Sequence, residues 1–370
     1  MNILFLDQFS DPGGAQLCLK DLMPEILRRG WTPRLMAPGD GNLVEWSNRL
    51  GIPTHTLPLR PYSNGRKTPL DFLRFSVDGP RMAAAVRRVV RQERVDMVYV
   101  NGPRVLPAVL GVCRPVVFHA HNYVPVRCGR KLVEWTIRAA DATVIAASQY
   151  VADSFAQVPG SAKWRVVYNG IGDFERGARS FHRRRIRVGI IGRIAPEKGH
   201  LDFIRAARRI AENGADAEFF VFGERLFSDA LYDAQVRAMA GDAPVTFRGW
   251  TDDVARALND LEILAVPSGP DEAATRVIME AFSAGTPVVA YRSGGIPELV
   301  ENGRTGVLTE KPDFESLARA IQALLGDRDL MQRLSAAGRN EWLRRFRVER
   351  FRTTVCDLLE TCAISKRRGE

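Results

Sequence analysis

Arg187-Val188-Gly189-Ile190-Ile191 runs directly into Gly192-Arg193-Ile194-Ala195-Pro196-Glu197-Lys198-Gly199, near the middle of the 370-residue chain. The first five residues read as a buried strand. The next eight read as a Gly- and Pro-punctuated turn that opens a helix over Glu197–Asn213. A strand–turn–helix unit beginning this late marks a second domain, and the polar, Arg- and Gly-rich stretch Gly172–Arg185 before it reads as a linker.

Working outward, the downstream pattern continues as strands at Glu218–Phe222, Val245–Phe247, Glu262–Val266 and Pro287–Tyr291. Helices are expected over Val254–Asn259 and Arg276–Ala284, and one final helix over Arg339–Cys362. Upstream, short apolar strands are expected at Asn2–Asp7, Thr32–Ala37, Val95–Val100, Pro115–His119 and Ala142–Ala146. They alternate with helices near Ala15–Arg29 and over Arg81–Arg94, where Met82, Val86, Val89 and Val90 share one side. Strands alternating with helical patterns argue for parallel sheets with right-handed crossovers. The fold expected is α/β, with two doubly wound Rossmann-like halves. They span residues 1–175, with the last helix from about 346–370 added, and residues 186–345.

Bulk properties narrow the function. No apolar run approaches the roughly 18 residues that span a bilayer. The opening Met1-Asn2-Ile3-Leu4-Phe5-Leu6-Asp7 reads as a buried strand rather than a signal peptide. Five scattered cysteines (Cys18, Cys113, Cys128, Cys356, Cys362) lack metal-ligand spacing and read as reduced thiols, so a cytoplasmic location is expected. Net charge is +10 and unevenly spread: residues 1–175 carry 22 Lys+Arg against 15 Asp+Glu, and residues 176–370 carry 31 against 28. An excess of +7 in the first half fits solvated faces. It also fits peripheral contact with an anionic membrane at the inner face of the cytoplasmic membrane, or an anionic substrate. Basic–aromatic interleaving is lacking, so nucleic acid is not an expected partner.

In open α/β sheets, ligands bind beyond the carboxyl ends of the strands, and candidate site residues follow from that rule. Gly13 and Gly14 open the first helix and let backbone amides approach a ligand. Arg193 and Lys198, five residues apart at a strand end, together neutralise a diphosphate. Glu272 and Glu280 lie eight apart, the second inside an apolar helix among Ile278, Met279, Ala281 and Phe282. A carboxylate there needs donors, and a ribose diol supplies two. Asp327-Arg328-Asp329 matches a metal-type spacing but reads as a helix cap, so neither metal nor cofactor is expected.

Taken in this order, the Gly-Arg-x-x-Pro-Glu-Lys-Gly run, the Glu-x7-Glu pair and Gly294-Gly295-Ile296-Pro297-Glu298 resemble the retaining glycosyltransferases of family four, which have the GT-B fold. The resemblance covers nearly the whole chain and is strongest from Val188 to Val307. It implies a nucleotide-sugar-dependent enzyme, taking a UDP-, GDP- or ADP-sugar, whose cleft lies between the halves, with a C-terminal helix that crosses back to the first. Its base pocket would lie beside Gly223, Glu224, Arg248 and Trp250, where Trp250 stacks on a base or packs in a core. The first half would bind the acceptor and the second the donor. Glu280 would bind the donor ribose, and Glu272 the transferred sugar. Arg193 and Lys198 would hold the diphosphate, and Gly13 and Gly14 the phosphates or acceptor. In Phe118-His119-Ala120-His121-Asn122, His121 looks like the family's active-site histidine; His119 is the alternative, or a core residue.

The chain departs from the family after Glu272, where Ala273-Ala274-Thr275-Arg276 replaces the usual Gly and aromatic. Thr275 adds a hydroxyl to the sugar pocket, and Arg276 would reach the phosphate or lie on the surface. A retaining, metal-independent hexosyl transfer to a glycan or lipid-linked acceptor, such as a cell-envelope polysaccharide precursor, is the activity implied. The basic loop Arg60–Lys67 and the segment Leu70–Phe75 are candidate acceptor contacts. The rival readings are a sugar-nucleotide epimerase of the same general fold and a non-catalytic sugar-nucleotide-binding protein.

Overall fold

The computed structural model describes residues 1–11, 13–60, 69–124, 126–155, 163–174, 181–225, 230–270, 272–273, 275–310 and 312–367. The chain divides into two compact units. One comprises Met1–Gly170 with Val348–Glu370, and the other Ile171–Arg347.

The first unit runs β1 (Asn2–Asp7), α1 (Gly14–Arg28), β2 (Thr32–Ala37), α2 (Asn42–Arg49), β3 (Thr54–Thr56), α3 (Pro69–Gln92) and β4 (Met97–Asn101). A 3-10 turn (Leu106–Val109), β5 (Val116–Ala120), α4 (Arg127–Ala139), β6 (Thr143–Ala146), α5 (Gln149–Ser154) and β7 (Trp164–Val166) follow. Its sheet is parallel, with order β3-β2-β1-β4-β5-β6-β7. Ile3 through Leu6 are fully buried, as a central parallel strand covered on both faces requires.

The second unit runs β8 (Ile186–Ile191), α6 (His200–Glu212), β9 (Ala217–Phe222), α7 (Ala230–Ala240), β10 (Val245–Gly249), α8 (Val254–Asp260) and β11 (Ile263–Val266). It continues through α9 (Arg276–Ala284), β12 (Val288–Tyr291), α10 (Ile296–Leu299), β13 (Val307–Thr309), α11 (Phe314–Gly326) and α12 (Arg328–Glu341). Its sheet order is β10-β9-β8-β11-β12-β13. Both sheets therefore reverse their strand order once, at β1/β4 and at β8/β11, and each reversal opens a crevice at the carboxyl ends.

Three expectations about elements change. The helix expected over Arg81–Arg94 is α3, which starts at Pro69 and carries Pro80 inside it. The lost backbone bond at Pro80 is tolerated because Met82 and Val86 are fully buried beyond it, and the buried Asp78 before it accepts from Arg60. The single helix expected over Arg339–Cys362 is broken. After α12 comes a π-helical turn (Trp342–Phe346), then an extended Arg347, then α13 (Val348–Arg367). The turn is pinned where Trp342 donates to the Ile171 carbonyl and Ile171 pairs with Arg347. Past that break Phe351, Val355, Cys356 and Leu359 of α13 enter the first unit's core beside Cys18, Leu22 and Ile26 of α1. Finally, the ends of the expected linker belong to the second unit. Ser283 donates to the Gly172 carbonyl and accepts from the Phe174 amide, while Phe181 is buried against β8 and β9.

Candidate functional site

At the β8/β11 reversal, the sequence places flexible backbone where two loops meet. Gly199 ends the short 3-10 turn Pro196–Lys198 at φ 75°, and a Cβ there would collide with the Pro267 carbonyl after β11. Gly294, at φ 53°, abuts the Glu272 carbonyl in the same way. Backbone bonds stitch the loops together: Gly269 N donates to the Glu197 carbonyl (2.9 Å) and Gly295 N to the Glu272 carbonyl (3.0 Å). The three runs singled out in the sequence therefore converge on one edge of this unit.

The charged side chains there are paired. Lys198 Nζ lies 2.5 Å from Glu272 Oε2, and Arg193 Nη2 lies 2.5 Å from Glu197 Oε1. In α9, Arg276 Nε donates to Glu280 Oε1 at 2.8 Å, one turn apart and mostly buried. This pair is what lets Glu280 sit 7% exposed in an apolar helix. Arg276 is thus not a loose surface charge; it steadies Glu280. Thr275 caps the helix by position, yet its buried Oγ1 has no hydrogen-bond partner among the described residues. An orphaned hydroxyl at a nine-residue helix start is a ready contact for a ligand oxygen.

The expected base-pocket residues lie along the same edge. Gly223 packs against the Gly192 carbonyl, and Ile194 N donates to the carbonyl of the exposed Glu224. Gly223 N donates to the Gly249 carbonyl, which ends β10. Arg248 lays its guanidinium over the Phe220 ring at 4.9 Å. Trp250 is 43% exposed and donates to Asp252 Oδ1, so its indole is a surface group rather than core.

At the β1/β4 reversal the first unit carries a different centre. Asp7 and Asn101 are register partners at the two strand ends, and both are fully buried. Asp7 Oδ1 accepts from Gln16 Nε2 (2.7 Å) and from the Phe9 amide (2.9 Å), and Oδ2 accepts from Asn101 Nδ2 (2.6 Å). Asn101 Nδ2 also donates to the Ala15 carbonyl, so its Oδ1 accepts from His121 Nε2 at 2.7 Å. That chain puts the imidazole proton on Nε2 and leaves Nδ1 as the basic nitrogen. Burial pushes Asp7 up to about 6 despite these donors, and pulls His121 down to about 3. His121 is therefore a neutral acceptor throughout the physiological range.

His119, two residues back, bonds Tyr99 Oη and stacks on Phe351. It is held well below its usual pKa by burial and by His121, and it fits a core histidine. Gly13 precedes α1 and accepts from Leu17 N, with Gly14 as the first helical residue. Pro12, Asp271 and Ala274 lie outside the described residues, as do residues 61–68 of the basic loop.

Sequence reasoning did not single out Asp7, Gln16 or Asn101. A signal was there: an acid and an amide each close an otherwise apolar strand, Asn2–Asp7 and Met97–Asn101. No group of His, Cys, Asp and Glu among the described residues could hold a metal ion, and Asp327 instead caps α12 by accepting from Leu330 N. No helix among the described residues is long and apolar enough to cross a membrane.

Comparisons with known proteins agree with this architecture. Residues 12–173 match the model of Glycosyltransferase Family 4, and residues 185–327 that of Glycosyl transferases group 1. The chain belongs to the family-four glycosyltransferases and has the GT-B fold. It is 24% identical over 295 residues to sulfoquinovosyl transferase SQD2 of Arabidopsis thaliana, covering 71% of this chain and 55% of the relative. It is 30% identical over 245 residues to a glycogen synthase of Mycobacterium tuberculosis, covering 64% of this chain and 57% of the relative. The chain thus spans little more than half the length of these curated relatives. HepE of Anabaena, solved in complex with UDP and glucose, is 25% identical. It superposes with a TM-score of 0.81 over 97% of this chain and 99% of that one.

Proposed function

We propose that this chain is a nucleotide-sugar-dependent glycosyltransferase that moves a hexosyl group to a hydroxyl acceptor with retention of configuration. The observation that carries the reading is the Lys198–Glu272 pair at the β8/β11 reversal. A cation suited to a leaving diphosphate is held against a carboxylate suited to sugar hydroxyls, and a bound donor satisfies both. Family membership and the UDP-glucose complex solved for HepE support the same donor class.

In this reading Lys198 and Arg193 exchange their carboxylate partners for diphosphate oxygens, and the N-terminus of α9, with Thr275 Oγ1, adds donors. Charge on the leaving group is met by protein cations, which makes the reaction metal-independent. Glu280, steadied by Arg276, accepts from the ribose diol. Glu272, released by Lys198, accepts from the transferred sugar. The glycosyl transition state is oxocarbenium-like. A leaving phosphate oxygen takes the acceptor proton on the face from which it departs, so no separate base is needed. His121, neutral and with Nδ1 as acceptor, takes a hydrogen bond from a sugar hydroxyl. The acceptor is assigned to the first unit and to a glycan or lipid-linked precursor of a cell-envelope polysaccharide.

The test is a panel of UDP-, GDP- and ADP-sugars, screened for binding and then for nucleoside diphosphate release with candidate acceptors in the presence of EDTA. Acceptor-dependent release with an α-configured product from an α-configured donor is the expected result. An isomerised donor without release identifies an epimerase, and binding without either product identifies a carrier; each overturns the proposal.

A further inference from the structure

Two helices of the first unit leave a one-signed surface that the donor chemistry does not use. α3 and α4 each follow a strand of the same parallel sheet and lead to the next by a crossover, and both pack on the turn Leu106–Val109. α1, by contrast, packs with α13. Right-handed crossovers place α3 and α4 on a common side, because β3 to β4 and β5 to β6 run the same way across the sheet.

The inner faces are ordinary core: Met82 and Val86 in α3, Val133 and Ile137 in α4. The outer faces are not ordinary surface. α3 exposes Arg81, Ala84, Arg88 and Arg91 at helical spacing, with Val77 41% exposed one turn earlier. α4 exposes Lys131, Trp135 and Arg138 at the same spacing, and Trp135 is 54% exposed. Arg127 and Val126 stand exposed at its start. Among the described residues, neither helix exposes a single carboxylate. Asp71 and Asp78 of α3 are buried, the latter bonded by Arg60, and Glu134 of α4 is only partly exposed. Just beyond α4, the exposed Asp141 is held by Lys163.

Six exposed cations, an exposed indole and no exposed acid on these two helices are complementary to one kind of surface. We propose that the α3–α4 face docks on an anionic lipid bilayer, with Trp135 seated at the headgroup level. An indole buries apolar area while its N–H stays among polar groups, and each nearby Lys or Arg is drawn to anionic headgroups. The purpose of such docking, bringing the first unit to a lipid-linked acceptor, rests on the reading proposed above; the docking itself needs neither donor nor acceptor.

Vesicle cosedimentation of the full chain tests it. Binding is expected to vesicles of phosphatidylglycerol and phosphatidylcholine, to weaken steeply with salt, and to be absent from pure phosphatidylcholine. Lys131→Glu/Arg138→Glu should weaken partitioning by about 30-fold or more, since loss of two cations at about 1 kcal/mol each already implies that factor. Lys131→Arg/Arg138→Lys should bind as the parent does. Arg256→Glu/Arg333→Glu, exposed on the second unit, should also leave binding intact. Brominated lipid should quench the parent's tryptophan emission more than that of Trp135→Phe. Nucleoside diphosphate binding, retained by every variant, shows that the chain is folded and separates this proposal from the catalytic one. Equal binding to neutral vesicles would overturn it. So would unchanged binding of the charge-reversed pair, or equally tight binding to a soluble polyanion with no lipid quenching.

Discussion

The strand-order reversals of the two sheets solve the problem of a polar site by opposite means. At β8/β11 the second unit uses formal charge. Lys198 faces Glu272, Arg193 faces Glu197 and Arg276 faces Glu280, with side chains from 9% to 41% exposed. At β1/β4 the first unit uses neutral hydrogen bonds in a dry interior: Gln16, Asn101 and a neutral His121 surround one carboxyl, Asp7, which burial pushes up to about 6. Ion pairs near water can exchange partners cheaply, whereas a buried amide–carboxyl chain holds its geometry. The first arrangement suits a ligand that brings its own charge. The second suits the fixed placement of a single acceptor nitrogen.

The strongest way to break this contrast is at Lys198. Lys198→Ala should lower the rate of nucleoside diphosphate release by about 10²–10³-fold, the usual cost of losing one preorganised group at developing charge. The same change also strands Glu272, so Lys198→Ala/Glu272→Gln separates the two causes. If Lys198 works on the diphosphate, the double variant stays at least as slow. Recovery to within a few-fold of the parent would mean that Lys198 merely neutralises Glu272, and single-turnover assays of both variants decide it.

Asp7 sharpens the other side. Its carboxyl goes from 3.8 to about 6 on folding, so the folded state holds the proton more tightly. The stability this confers is complete below the unfolded value and is lost as pH rises through about 6. His121 works in the opposite sense: lowered from 6.5 to about 3, it stabilises above 6.5 and loses that contribution as pH falls. The groups facing Asp7 are Gln16, Asn101 with His121 behind it, and Tyr99 on the adjoining strand. Asp7→Asn removes only the first contribution. Relative to the parent, the variant should therefore gain about 3 kcal/mol between pH 4 and pH 7.5, from roughly two units at 1.4 kcal/mol each. Urea unfolding across that range measures the difference. A difference that does not change with pH would show that Asp7 ionises normally, and the dry interior assigned to this site would be wrong.

Much of this was legible in the residues. Alternation of strands with helical spacing defined the centres of both sheets, while the short edge strands Thr54–Thr56, Trp164–Val166 and Val307–Thr309 went unread; Gly192–Gly199 and Glu272 follow strand ends. What escaped was tertiary. Nothing in the local pattern says that Arg276 answers Glu280, because an i,i+4 pair reads equally as a surface ornament until burial is known. The break before α13 depends on Ile171 pairing with Arg347, a partner 176 positions away. Asp7 and Asn101 were silent for the same reason. Each looks like the polar end of a strand, and only the parallel register between β1 and β4 makes them a pair.

The smallest effect probes whether the charged site is truly exchangeable. Arg193 is 41% exposed and its partner Glu197 30%, so their pair contributes at most about 1 kcal/mol. A diphosphate that recruits Arg193 must displace Glu197, which then opposes the incoming charge. Glu197→Gln keeps the backbone carbonyl that accepts from Gly269 N and removes only that competitor. Nucleoside diphosphate affinity, measured calorimetrically, should tighten by up to about 5-fold, the factor that 1 kcal/mol allows. Asp7→Asn in the other unit should leave the same affinity unchanged. Weaker binding by Glu197→Gln would mean that the carboxylate positions Arg193 for the ligand instead of competing for it, and the second site would then be as preorganised as the first.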